Sequence, residues 1–120
     1  MNFYKCKACD SVLILDAPAG CCTEGWTELL PNTTDAAGEK HVPVIQAEGR
    51  TVKVTVGSVE HPMLPVHYIM WILLETTRGY QKKDLKPGEK PAALFALSEG
   101  EEVLAAYEYC NLHGLWKAAL

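Results

Sequence analysis

Four of the five cysteines fall within the first 22 residues, as Cys6-x-x-Cys9 and the vicinal pair Cys21-Cys22, and this crowding constrains the fold more than any other feature. A segment of roughly thirty residues buries too little apolar surface to hold itself together, and units below about 40 residues commonly depend on a metal or on disulfides. An odd number of cysteines fits a fully paired disulfide framework badly and metal binding in a reducing compartment better. Four thiolates are the number and type that a tetrahedral zinc or iron site requires. The side chains of adjacent cysteines diverge, so a site using both is expected to be angularly distorted. The competing readings are a Cys6–Cys9 disulfide, inert buried thiols, or dithiol redox chemistry, the last of which would want a βαβ context that is absent.

The polar run "PNTTDAAGEK" follows and reads as a linker, dividing a small metal-binding domain over residues 1–33 from a main domain over 34–120. From His41 onward the pattern is strand-like. "HVPVIQAEG", "TVKVTVGS", "HYIMWILLETT" and "EEVLAAYEY" are rich in β-branched and aromatic residues and are separated by turn signals such as "EGR" and "KPGEKP". In "TVKVTVG" valine alternates with threonine and lysine, as in a strand with one buried face. Helix signals are weak, so the chain is expected to be mainly β, with an antiparallel β-sandwich as its main domain.

Charge and hydropathy exclude several classes of partner. The net charge is −4 with no basic block, which argues against nucleic acid. The longest apolar run, "HYIMWILL", is far too short to span a bilayer, and "MNFYKCKACD" lacks the apolar segment of a secretory signal. The expectation is a soluble cytoplasmic protein with no membrane partner.

With the first four thiols assigned to one site, the remaining soft ligands are Cys110 and the only four histidines, His41, His61, His67 and His113. Any lone histidine is more often a satisfied or exposed side chain than a ligand. Local context shifts the balance: "HPMLPVH" sets His61 and His67 around two prolines in a rigid extended loop, and Cys110-Asn-Leu-His113 lets two ligands reach one metal from a tight turn. A structural zinc would use four ligands and leave one over. Four imidazoles and one thiolate suit a metal of higher coordination number and intermediate softness, which points to iron with one position open for a small ligand. The thiolate would push electron density toward a bound oxygen species and favour release of peroxide. Beside His41, "EKH" supplies Glu39 and Lys40. A lysine near an open iron position would attract a small anion and stabilise developing negative charge, against the plain alternative of a solvated Glu-Lys pair.

Taken together and in this order, "YKCKAC", "CC", "EKHVPVI", "GSVEHPM", "HYIMWI", "LKPGEKP" and "EYCNLHGLWK" resemble the desulfoferrodoxin family, the two-iron superoxide reductases, over nearly the whole chain. The resemblance implies a desulforedoxin-like four-cysteine domain followed by an immunoglobulin-like β-sandwich bearing a catalytic ferrous site. It also implies a homodimer and re-reduction by rubredoxin or a similar donor. On this sequence, His41, His61, His67 and His113 would form the equatorial plane and Cys110 the axial ligand. Glu39 would bind the ferric iron at rest, and Lys40 would steer superoxide and support protonation. The departures lie in the N-terminal domain, where "DSVLILDAPAG" is short for the family and the vicinal pair is followed by threonine rather than glycine. The iron or zinc content of the four-cysteine site is left open. Two rival readings are a non-catalytic electron carrier or redox sensor built on that site, and a zinc-stabilised interaction module.

Overall fold

A computed structural model describes residues 1–9, 11–15 and 24–120. The chain divides into two compact units, Met1–Leu30 and Pro31–Leu120. Unit 1 is a three-stranded antiparallel sheet of β1 (Asn2–Cys6), β2 (Val12–Leu15) and β3 (Trp26–Leu29), ordered β2-β1-β3. Cys21 and Cys22 lie outside the described residues.

Unit 2 opens with a single helical turn, α1 (Gly38–His41), and continues in seven strands: β4 (Pro43–Glu48), β5 (Thr51–Val56), β6 (Ile69–Thr76), β7 (Gly79–Asp84), β8 (Ala92–Ala96), β9 (Val103–Cys110) and β10 (Gly114–Ala119). They form two antiparallel sheets, β10-β9-β6-β7 and β4-β5-β8. The chain makes the β4–β5 hairpin, crosses to make β6–β7, returns for β8, and finishes with the β9–β10 hairpin, the interleaving expected of an immunoglobulin-like sandwich. The alternation read in β5 is realised: Val52, Val54 and Val56 are wholly buried, while Thr51 and Lys53 are exposed. Each such valine stabilises the fold by roughly 1.5–3 kcal/mol. Across the core they meet Ile69, Ile72 and Leu74 of β6 and Ala106 and Cys110 of β9.

Strand β9 does not alternate in burial, because both of its faces are covered. Its inner face joins the core, while on the other face Tyr109 stacks on Trp71 at 5.8 Å and Lys117 lies over the Tyr107 ring. Two features shape the end of the sandwich where His41 and Cys110 lie. The β6–β9 register shifts between Ile69 and Trp71, a bulge at the point where Ile69 faces Cys110; bulges commonly re-aim side chains beside functional sites. Gly57, at φ +81°, closes β5 directly against α1. A Cβ there would collide with the Val59 carbonyl oxygen and lie 2.6 Å from the Glu39 carbonyl oxygen. That contact sits where Val59 N–H donates to Glu39 O at 2.8 Å and Gly57 N–H to Val42 O at 3.2 Å.

Gly57→Ala is therefore expected to cost at least about 2 kcal/mol, since it adds backbone collision to left-handed strain. Gly49→Ala, at φ +60° with nothing within 4 Å of the added carbon, should cost about 1 kcal/mol. Thermal unfolding of the two variants measures the difference, and equal losses would refute the close packing of α1 on residue 57.

Candidate metal centre

His41, His61, His67, Cys110 and His113 converge, and one donor atom from each lies within 4.8 Å of all the others. They arrive from four places: the end of α1, the two ends of the His61–His67 loop, the last residue of β9, and the β9–β10 turn. The loop and the turn are locked together by Asn111. Its amide donates to Val66 O at 3.1 Å, its side-chain oxygen accepts from Tyr68 N–H at 3.0 Å, and its backbone N–H donates to Tyr68 O at 3.3 Å.

The four rings form a closed square. Successive pairs, His41–His61, His61–His67, His67–His113 and His113–His41, have centroids 4.6–5.0 Å apart and planes 77–87° to one another. The Cys110 sulfur is 3.6 Å from His61 Nε2 and 3.9 Å from His113 Nδ1, donors at opposite corners of the square. A single thiol thus addresses the centre of four imidazoles.

Backbone carbonyls fix the tautomers. His41 Nδ1 is 2.7 Å from Ala37 O and His61 Nδ1 is 2.6 Å from Pro62 O, and a carbonyl can only accept, so both Nδ1 atoms carry the proton. The Nε2 atoms of His41 and His61 then turn bare lone pairs toward each other at 3.2 Å, and no hydrogen bond can form between them. His113 Nδ1 stands 3.0 Å from His41 Nε2, and His67 Nε2 is buried with no hydrogen-bond partner among the described residues. Burial lowers the pKa of His41 and His67, and takes that of His61 down to about 4, so these rings stay neutral and keep their lone pairs. Burial pushes the Cys110 thiol up, although the backbone N–H groups of His113 and Leu112 oppose the shift by donating to the sulfur. A metal would displace that proton.

The donor set fits a transition metal. Two nitrogens at right angles around a metal ~2.1 Å from each lie about 3.0 Å apart, and the neighbouring pairs here are 3.0 and 3.2 Å apart. Five donors exceed the four of a structural zinc site, and four imidazoles with a thiolate are poor ligands for calcium or magnesium. Donating the outer ring nitrogen to a carbonyl is the usual way a ligating histidine is oriented.

The other residues singled out by the sequence are placed less completely. Glu39 and Lys40 precede His41 in α1 and are exposed, and the Lys40 charge reaches the His41 and His67 rings. In unit 1, Cys6 ends β1 and Cys9 follows in an exposed bend, both lining a cavity of about 490 Å3. Ala8 N–H approaches the Cys6 sulfur at 3.4 Å. Three residues beside the five-donor site carry no signal in the sequence reading. Trp116 stacks on His41, Asn111 ties the two ligand loops, and Glu108 is fully buried with neither carboxylate oxygen partnered. Burial pushes the Glu108 carboxyl well above the usual carboxylate range. Trp116 and Asn111 stand within "CNLHGLW", where tight spacing to the ligands was the available clue.

Comparison with known proteins agrees with this geometry. The profile of the desulfoferrodoxin family matches residues 33–119. The chain is 47% identical over 121 residues to the desulfoferrodoxin of Nitratidesulfovibrio vulgaris, covering 98% of this chain and 94% of that protein. It is 36% identical over 100 residues to a superoxide reductase of Pyrococcus abyssi, covering 69% of this chain and 87% of the relative. The crystal structure of the superoxide reductase from Treponema pallidum superposes with a TM-score of 0.83 at 44% identity, over 97% of this chain and 98% of that one. Family profile, full-length relatives and the five converging donors lead to one conclusion: this chain belongs to the desulfoferrodoxin family.

Proposed function

We propose that the protein is a superoxide reductase, converting superoxide, one electron and two protons to hydrogen peroxide with no release of oxygen. The observation that carries this is the square of four imidazoles with one buried thiol directed at its centre. When bound there, iron supplies the electron. His41, His61, His67 and His113 would hold it through their inward nitrogens, and Cys110 would supply a thiolate donor. Cys110 is 0% exposed, whereas His67 and His113 are partly exposed, so a small anion reaches the square from the side away from the sulfur.

Lys40 attracts that anion. The chain is net negative, so superoxide is repelled at long range, and a cation whose field already reaches two of the ligands offsets this locally. The same ammonium supports protonation of the departing peroxide through water. Glu39, the preceding residue of α1, is the carboxylate proposed to close over the oxidised centre.

Cys6, Cys9, Cys21 and Cys22 are proposed to form a second site in a desulforedoxin-like domain over residues 1–33, with the catalytic sandwich over 34–120. Iron would make the first site an electron relay and zinc would make it structural. The electrons come from rubredoxin or a donor of that kind. The protein is proposed to work as a homodimer in the cytoplasm, where thiols stay reduced; among the described residues no helix is long and apolar enough to cross a membrane.

Pulse radiolysis of the reduced protein should show second-order oxidation of the iron, with one peroxide formed per superoxide consumed and no oxygen. An unreactive ferrous protein would sink the assignment. Cys110→Ser should abolish turnover while sparing redox activity of the four-cysteine site, whereas an electron carrier built on that site would be indifferent to the change.

Lys40→Ala should slow the bimolecular step about tenfold at low salt and flatten its ionic-strength dependence, with Lys40→Arg close to wild type. Stopped-flow or radiolysis rates across a salt series decide this, and a rate unchanged in Lys40→Ala would remove the residue from the mechanism.

A further inference from the structure

Trp116 touches two of the five donor residues in different ways. Its ring stacks on His41, with centroids 4.9 Å apart and planes 26° from parallel. Its indole N–H donates to the His113 carbonyl oxygen at 3.1 Å. The two histidines are 72 positions apart in sequence, and the side chain joining them is only 5% exposed. In the β9–β10 register Trp116 faces Glu108, so it projects to the same face of the sheet as Glu108 and Cys110.

Each contact removes a specific freedom. The bond from His41 Nδ1 to Ala37 O fixes one point of that ring but leaves rotation about it. A flat indole against the ring face blocks this rotation, which would swing Nε2 away from the other donors. For His113 the constraint falls on the backbone. The turn from Cys110 to Gly114 passes through a left-handed residue, Gly114 at φ +78°, and no hydrogen bond to the outer ring nitrogen of His113 is present among the described residues. The indole N–H on the His113 carbonyl adds a side-chain bond to this turn, beside the Leu112 and His113 N–H groups that donate to the Cys110 sulfur.

We infer that Trp116 is a positioning residue for the metal centre: stacking sets the ring plane of His41, and the indole N–H sets the turn that delivers Cys110 and His113. This rests on the reading of the five donors as an iron site. Outer residues that orient ligands are typically worth about 10–100-fold in metal affinity, and Trp116 acts on two ligands at once.

The test compares Trp116→Leu, which removes both contacts, and Trp116→Phe, which keeps a ring for His41 but loses the N–H. Trp71→Leu serves as control for the loss of a buried tryptophan from the same sheet, because Trp71 stacks on Tyr109, on the face of β9 opposite Cys110. The readouts on full-length iron-loaded protein are the rate of iron loss from the five-donor site to a chelator and the thiolate-to-iron charge-transfer absorption of the oxidised form. Trp116→Leu should lose iron at least about tenfold faster and shift the absorption band. Trp116→Phe should recover most of the retention while its band, which reports the Cys110 turn, stays displaced. Trp71→Leu should lower thermal stability but leave release and band alone. Wild-type behaviour in both Trp116 variants, or the same faster release and shifted band in Trp71→Leu, would overturn the inference. Should Trp116→Leu fail to fold, Trp116→Phe decides alone through its band. Failure of the underlying reading would look different: wild-type protein would show neither iron nor a thiolate band at this site.

Discussion

Five donors directed at one point are an unfavourable arrangement until a cation joins them. The lone pairs of His41 and His61 face each other at 3.2 Å, and His67 Nε2 is buried with nothing to bond. A buried polar atom left without a partner costs about 1–3 kcal/mol. Several together approach the whole stability of a small domain, about 5–15 kcal/mol. The square exists because the sandwich around it holds the rings in place. Val52, Val54 and Val56 anchor β5, Gly57 lets α1 press against its end, Asn111 ties loop to turn, and two carbonyls set the tautomers. Folding and metal binding are consequently coupled: binding converts the least favourable part of the structure into its strongest cross-link, joining α1, the His61–His67 loop and the β9–β10 hairpin.

The same arrangement controls reactivity. Imidazoles would leave the charge of a bound metal largely uncompensated, and Cys110, buried on the inner side, would supply the only anionic donor among the five. A charged carboxylate two residues before Cys110 and on the same face of β9 would oppose thiolate formation. The Lys40 charge, in a chain that is negative overall, reaches the His41 and His67 rings.

Much of this was legible in the sequence, and the rest was hidden for identifiable physical reasons. Strand β5 announced itself by alternation because one of its faces is buried and the other is not. Strand β7, "GYQKKD", lies at a sheet edge with nearly every residue exposed, and its lysines protect that edge rather than signal a strand. The helix α1 is one turn long, too short for any period to show, and it places His41 where the sequence suggested the start of a strand. The five donors could be found by counting soft ligands, since a cysteine outside the first cluster and every histidine in the chain had to be explained. Counting has no access to Gly57, Asn111 or Trp116. Their roles depend largely on contacts with segments 18 to 75 positions away, Gly57 with Glu39, Asn111 with Val66 and Trp116 with His41, which no local pattern encodes.

A β-sandwich suits this centre because its rigid strands stop where the donors begin. Cys110 is the last residue of β9 and pairs with Ile69, the first residue of β6, so sulfur placement inherits the precision of the sheet. The histidines sit on the short turn and loops beyond, where a bulge at Met70 and a left-handed Gly114 redirect the chain. Strand residues alone would present donors only on alternate positions of one face. Loops alone would present them at any angle, with the ordering cost falling on metal binding. Combining a fixed sulfur with four rings oriented by carbonyls, Asn111 and an indole places five donors within 4.8 Å from a chain of 120 residues.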